Sequence, residues 1–386
     1  MEEWKEYKLG EILNFRRGHD LPKTAMKDGN IPVAGSNGII GFHNEATPIS
    51  PCITIGRSGN VGTPYIYDRC WAHNTVLYVD DFKGNNPLYL YYLLKTLPLS
   101  SFGGGSAVPT LNRNHIHPLV IKHTSDFKAQ KRIADILKSI DDKIECNKQI
   151  NDNLEQQAKA LFKSWFVDFE PFRDGEFVDS ELGRIPQNWI VGTLRDLCVA
   201  NKRTYNGKFV HEIQYIDTGS VTNNTIESIQ TLNPVTDIIP SRARRAVTEG
   251  DIIYSSVRPN QKHYAFLCNP LPNTVVSTGF VVLTANWSGY RYYIYQYLIQ
   301  DEIIDKLQSI AEQSVSTYPT LNASDLTNLK IVIPPNNVIG DFASLCHSYI
   351  AQIYKQQEES RRLAQLRDSL LPRLMSGELK VNEVTI

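Results

Sequence analysis

The tetrapeptide Pro-Thr-Leu-Asn occurs twice, at Pro109–Asn112 and Pro319–Asn322, an offset of 319 − 109 = 210 residues. Each copy follows a small polar run ("GGGSAV", then "EQSVSTY") and precedes a short apolar stretch, His117–Ile121 or Leu329–Ile333, that leads into a long charged segment. The openings of the two halves echo as well: Trp4, Leu9, Glu11 and Ile12 match Trp189, Leu194, Asp196 and Leu197 at a constant offset of 185. The pattern is a globular unit and a long helix, stated twice, and a repeat of this kind fixes the architecture before any local reading does.

The expected fold class is α+β: two pseudo-repeated α/β units joined by two long helices packed together as a coiled coil. The boundaries read as 1–123 for the first unit, 124–170 for a central helix, 171–333 for a linker and the second unit, and 334–386 for a distal helix. Short β-branched runs broken by Gly, Asn and Pro ("CITIG", "TVLYV", "DIIYSS", "GFVVLT") predict strands rather than a βαβ series. Leu88–Leu97 and Tyr290–Ala311 have helical spacing, and Arg173–Ser180 reads as a surface linker.

From Phe127 to Phe166 there is no Pro or Gly. A 4-3 spacing runs through Ile133, Leu137, Ile140, Ile144, Asn147, Asn151, Leu154, Ala158, Leu161 and Trp165, the seam of a coiled coil, with two Asn at positions where polar residues fix register. The distal segment, about Val338–Leu371, places Ile350, Ile353, Leu363, Leu370 and Leu374 on its seam, with Gln356, Gln357 and Ser360 in the middle. Two helices with polar middles in corresponding places suit each other as partners.

Catalytic signatures are missing. There is no G-x-x-x-x-G-K-[ST] loop, and "GRSGNVG" is spaced for turns rather than for a dinucleotide. "NPLY" at Asn86–Tyr89 lacks the second Pro of an amino-methyltransferase loop, and Glu378-Leu379-Lys380 lacks the strand context of a nuclease. No H-x-x-x-H occurs, and the six cysteines, none closer than 18 residues to the next, form no CxxC, which fits a reducing compartment. No apolar run reaches membrane-span length and the first residues do not form a secretory signal. The expectation is a cytoplasmic chain with no metal and no cofactor of its own.

Loops rich in Arg, Asn, Ser and Lys are present in both halves. The first half offers Arg16, Arg17, Ser36, Asn37, Arg57, Ser58, Asn60, His73 and Asn74. The second offers Lys202, Arg203, Tyr205, Lys208, Arg242, Arg244, Arg245, Arg258, Asn260, Lys262 and His263. Arg suits guanine, Asn suits adenine, and Ser, Lys and backbone N–H groups suit phosphates, so these are candidate contacts to double-stranded DNA. Arg57 and Arg258 read as equivalent positions, each an Arg followed by a small residue and Asn after a β-run. A net charge of −1 calls for a local rather than a global basic surface.

Six segments carry a family resemblance: the "W-x4-LGEI" opening at Trp4 and Leu9–Ile12, "GDIIYSSVRPN" at Gly250–Asn260, the two Pro-Thr-Leu-Asn turns, Gln130–Phe169, and "LRDSLLPRLMSGEL" at Leu366–Leu379. Together they resemble the specificity subunit of type I restriction–modification systems across essentially the whole chain. The second opening departs, with Arg195 after Leu194, and the distal helix is less regular. The resemblance implies a non-catalytic subunit that reads a bipartite DNA site with two recognition domains. It also implies that these target-recognition domains are joined by two helices packed as an antiparallel coiled coil, a spacer that sets the gap and docks two methylation subunits, and through them restriction and translocation subunits. S-adenosylmethionine, ATP and Mg would then belong to the partners. A fused methylating polypeptide would need several hundred further residues; a coiled-coil adaptor without DNA readout would explain the helices but not the paired loops.

Overall fold

The computed structural model describes residues 4–103, 110–207, 212–313 and 319–381. Pro109, Lys208 and most of both small polar runs lie outside the described residues. The chain forms two compact units, Met1–Cys146 with Ser360–Ile386, and Asn147–Glu359, so each long helix contributes to both.

In the first unit, β1 (Trp4–Lys8), α1 (Leu9–Ile12) and β2 (Asn14–Arg17) are followed by β3 (Ile31–Gly35), β4 (Gly38–His43), β5 (Cys52–Gly56), β6 (Pro64–Tyr67), β7 (Trp71–Ala72) and β8 (Val76–Asp81). Next come α2 (Pro87–Thr96), α3 (Arg113–Ile116), β9 (Val120–Thr124) and the long α4 (Phe127–Phe166). A four-stranded sheet has the order β2-β8-β5-β6, a three-stranded sheet the order β4-β3-β7, and β1 pairs antiparallel with β9.

After α4 the second unit continues with a hairpin of β10 (Phe177–Ser180) and β11 (Gly183–Pro186), so half of the expected linker is paired structure. Then come β12 (Ile190–Thr193), α5 (Leu194–Leu197), β13 (Cys198–Ala200), β14 (Ile213–Ile216), β15 (Val221–Thr222), β16 (Thr225–Ile226), β17 (Gln230–Leu232) and β18 (Ala243–Ala246). They are followed by β19 (Ile252–Ser255), β20 (Tyr264–Phe266), β21 (Thr274–Ser277) and β22 (Phe280–Ala285). Last are α6 (Tyr290–Leu298), α7 (Asp301–Glu312), α8 (Ala323–Thr327), β23 (Lys330–Ile333) and α9 (Asn336–Met375). The sheet β13-β22-β19-β20 repeats the topology of β2-β8-β5-β6, and β12 pairs with β23 as β1 does with β9. A second sheet, β17-β14-β21-β18, contains a parallel β14–β21 pair that matches the parallel β3–β7 pair.

The repeated motifs have a common physical use. Leu111 and Leu321 are buried, while Asn112 and Asn322 cap α3 and α8 with their side chains. Thr110 bridges Ser58, and Thr320 bridges Val257. In the openings, the backbone N–H of Lys8 donates to Glu11 Oε2 at 2.8 Å and that of Thr193 to Asp196 Oδ2 at 2.7 Å, so each acid closes the short helix it starts. Leu9 and Ile12, like Leu194 and Leu197, enter the core of their own unit. Gly377, in the closing run, has φ +72° and lies against the Trp4 indole, where a Cβ would sit 2.5 Å from Nε1; both the backbone angle and the ring select glycine.

Tyr290–Ala311 is two helices rather than one. Gln300 is extended at φ −65°, ψ 138°, and Asp301 and Glu302 in the next turn favour a fresh helix N-terminus.

In the first unit Ile133, Leu137 and Ile140 of α4 pack with Leu370, Leu371 and Leu374 of α9, and Ile144 and Leu363 are half-buried beside them. In the second, Leu154, Ala158, Phe162 and Phe166 are buried, and Ile350 and Ile353 of α9 share the cluster. The expected seam residues Leu161 and Trp165 are only half-buried, one step behind. A straight helix repeats every 3.6 residues, so a 3.5-residue seam precesses, and here the buried face turns toward Tyr293 and Phe342.

Candidate nucleic-acid interface

In the first unit the backbone brings five loops to one end of the sheet. Arg57 N–H donates to Thr75 O at 2.8 Å, and Arg57 O accepts from Leu111 N–H at 2.7 Å. Gly18 N–H donates to Val76 O at 3.1 Å, which seats Arg17 beside the same turn, and His73 N–H donates to Ala34 O at 3.0 Å, which seats Ser36 and Asn37. Gly56 packs so closely on the Asn60 and Ser36 carbonyls that no Cβ would fit. The expected group Arg16, Arg17, Ser36, Asn37, Arg57, Ser58, Asn60, His73 and Asn74 is therefore gathered. Asn74 is tied to Asp20 and His73 Nδ1 lies 3.1 Å from Thr75 Oγ1, so both are constrained by the turn they occupy.

A cleft of about 370 Å³ opens here, lined by Arg16, Arg17, Arg57, Leu77, Thr110, Leu111, Asn112 and Arg113. Arg113 was not among the expected contacts, although its place directly after the Asn112 cap pointed to it. Its Nη1 donates to Phe15 O at 3.1 Å. His117 ends α3, stacks on Phe15 and accepts the Phe15 N–H at Nε2. Burial holds its pKa below the usual histidine value, with the charges of Arg113 and Lys83 adding to the effect.

The second unit uses the same frame with different side chains. Ser256 N–H donates to Gly279 O and Ser256 O accepts from Leu321 N–H, the pattern of Arg57 with Thr75 and Leu111. Arg57 is thus equivalent to Ser256, not to Arg258: the loops correspond but the residues are shifted by two. Arg258 and Lys262, both in the left-handed region at φ 49° and 56°, bracket the turn Pro259–Gln261. Such backbone costs about 1–2 kcal/mol per residue and persists where the surroundings demand it. Arg258 and Asn260 are exposed; Lys262 is paired with Asp301 at 3.0 Å, and His263 lies half-buried against Val221.

Two expected contacts take structural places instead, and a third is half-buried. Tyr205 is 4% exposed, within a cluster with Ile213, Tyr215, Ala243 and Val275, so its ring is unavailable to a ligand. Arg203 pairs with the buried Asp251 and also reaches Thr284 Oγ1. Arg245 is half-buried on β18, where burial lowers its pKa. Lys202, Arg242 and Arg244 are exposed, Arg244 donating through Nε to Ser241 O at 3.1 Å.

A polar hub that sequence reasoning missed ties the loops of the second unit to its helical portion. Asn224 Nδ2 donates to Glu155 Oε1 at 2.8 Å, Asn224 Oδ1 accepts the Phe266 N–H at 2.9 Å, and Asn224 O accepts from Gln357 Nε2 at 2.8 Å. Next to it, Asn223 N–H donates to Lys262 O, which joins the hub to the Arg258 loop. Burial pushes the Glu155 carboxyl up to about 7.

Among the described residues no group of His, Cys, Asp and Glu could hold a metal ion, and no helix is long and apolar enough to cross a membrane. Another hollow, of about 420 Å³ beside Glu212, Gln214, Leu271, Pro272 and Asn273, has no basic residue in its described lining.

Comparison with known proteins matches residues 1–156 and 186–370 to the model of the type I restriction modification DNA specificity domain. Over 310 residues the chain is 31% identical to the type I restriction enzyme MjaIX specificity subunit of Methanocaldococcus jannaschii, covering 77% of this chain and 70% of that one. It is 25% identical over 315 residues to the HindI specificity subunit of Haemophilus influenzae, covering 66% and 68%. The fold is similar to that of the type I S subunit from M. genitalium, with a TM-score of 0.62 at 15% identity across 97% of this chain and 96% of that one.

Proposed function

The chain belongs to the family of type I restriction–modification DNA specificity domains, and from that premise we propose that it reads a bipartite DNA site and scaffolds the enzyme subunits that act there. The observation that carries this reading is the duplication of one backbone frame under two different sets of exposed side chains. Loops that differ on a common scaffold are what recognition of two unlike half-sites requires. In the first unit Arg16, Arg17, Ser36, Asn37, Arg57, Ser58, Asn60 and Arg113 face one ligand. In the second, Lys202, Arg242, Arg244, Arg258 and Asn260 do so.

The two long helices act as an antiparallel spacer. In the first unit Arg367 Nη1 donates to Asp141 Oδ1 at 2.7 Å, and in the second Asn147 Nδ2 donates to Glu359 Oε2 at 2.8 Å. Both pairs join α4 to α9, and Asn147 is fully buried at its seam position, a polar contact that favours one register over its neighbours. The helices fix the gap between half-sites and dock methylation subunits, through which restriction and translocation subunits join. The chain carries no catalytic centre; S-adenosylmethionine, ATP and Mg are used by the partners.

The test is base-by-base binding by the chain assembled with its methylation subunit. Arg258→Ala or Asn260→Ala should weaken binding to one half-site and relax its sequence preference by about 1–3 kcal/mol at a contacted base. An equal loss on every sequence would refute base readout by this loop. An adaptor without DNA readout would show no preference in either form.

A further inference from the structure

We propose that the four-arginine cleft of the first unit is a clamp for a backbone phosphate of DNA, and that the second unit has no counterpart of it at the same place. The proposal rests on the DNA-reading function above and gives this cleft a narrower role than base readout.

Arg16, Arg17, Arg57 and Arg113 line one concave surface whose described lining contains no carboxylate. Four arginines lining one cleft repel one another, Asp20 offsets only Arg17, and an anion is the group that relieves the rest. Their anchoring is firm. Arg113 is tethered to Phe15 O, the Arg57 backbone is held by bonds on both sides, and Arg16 lies opposite Tyr78 on β8. Arg17 makes the one ion pair found for these four among the described residues, to Asp20 at 3.6 Å, and both partners are more than half exposed. The floor is Leu77 and Leu111, with Thr110 and Asn112 at the edge. A small polyanionic group suits such a fixed fork of donors.

The frame shared by the two units locates the equivalent positions in the second. Arg16 lies opposite Tyr78 on β8, as Asn201 lies at Val282 on β22, so Arg16 and Arg17 match Asn201 and Lys202. Arg57 matches Ser256 through the bonds already given. Arg113 follows the Asn112 cap as Ala323 follows Asn322. Four cations in the first unit are thus replaced by a single Lys202. The exposed Arg242, Arg244 and Arg258 of the second unit arise from other positions of the frame.

A phosphate clamp strengthens binding without regard to sequence and adds to its salt dependence, whereas a base contact changes the preferred sequence. The experiment measures DNA affinity of the chain assembled with its methylation subunit, on a duplex carrying its methylation motif and on a scrambled duplex, across a range of salt. Arg57→Gln with Arg113→Gln is expected to lower the slope of log affinity against log salt by about 0.9 for each phosphate no longer neutralised. The same fold-loss should appear on both duplexes. Arg184→Gln, a neutralised exposed arginine on β11, should leave the slope as it is and serves as the charge control. Arg16→Gln provides a second variant should the double one melt at a lower temperature. An unchanged slope, or a loss confined to the motif duplex, overturns the clamp. A wild-type complex that binds both duplexes equally refutes the functional reading instead, and the slope comparison still stands by itself.

Discussion

Replacing Glu155 by glutamine should flatten the pH dependence of stability in the second unit. Glu155 is 9% exposed, and burial lifts its carboxyl from 4.5 to about 7, with the Asn224 hydrogen bond and the charge of Lys159 partly offsetting that rise. The folded pKa therefore lies above the unfolded one, and the native state holds the proton over a window in which the unfolded chain releases it. The contribution to stability is complete below about pH 4.5, declines as pH rises to about 7, and stays lost above that. At about 1.4 kcal/mol per pH unit the decline totals about 3 kcal/mol. Glutamine keeps an oxygen that accepts from Asn224 Nδ2 and removes the ionisation. Urea unfolding of the full chain, followed by tryptophan fluorescence at about pH 5 and about pH 8, measures the effect. The difference between variant and wild type cancels the histidines that titrate in the same range. Glu155→Gln should gain stability relative to wild type by up to about 3 kcal/mol on going from the lower pH to the higher. Glu155→Leu, which leaves the Asn224 amide without its acceptor, should lose about 1–3 kcal/mol where the carboxyl is protonated. A variant-minus-wild-type difference that does not change with pH would refute the reasoning.

Two further predictions concern the core and the corrected contacts. Leu374→Ala, at a fully buried position of α9 in the first unit, should cost about 2–5 kcal/mol in denaturant unfolding; a cost below about 1 kcal/mol would mean the helix is not packed there. Tyr205→Phe should leave DNA affinity unchanged in the assembled complex, because the ring is in the core, and a several-fold loss would place the hydroxyl at the ligand after all.

Much of the scaffold was legible because it is local chemistry written twice. The Leu-Asn of each Pro-Thr-Leu-Asn anchors a core and caps a short helix, the acid of each opening closes a capping box, and Phe127–Phe166 is one helix with the bounds its composition indicated. The candidate site was less legible. Arg57 and Arg258 look alike in sequence, but their equivalence is decided by which backbone groups meet Thr75, Gly279, Leu111 and Leu321, and nothing in the local pattern reveals that register. Tyr205 and Arg203 have the side chains of a DNA surface, yet a core and a buried Asp251 across the unit claim them. The Glu155–Asn224–Gln357 hub joins residues 69 and 133 positions apart and has no sequence signature. The break at Gln300 shows the same limit at short range: periodicity continues through Tyr290–Ala311, and only the acidic start at Asp301 marks the new helix.

The most direct test is to express the chain with its methylation subunit in a host lacking other methylation and to sequence the DNA for modified bases. The account predicts methylation at a motif of two short defined halves separated by a gap of constant length, each half responding to substitutions in one unit alone. A single uninterrupted motif, or a gap that varies from site to site, would contradict a two-part reader held by a fixed helical spacer.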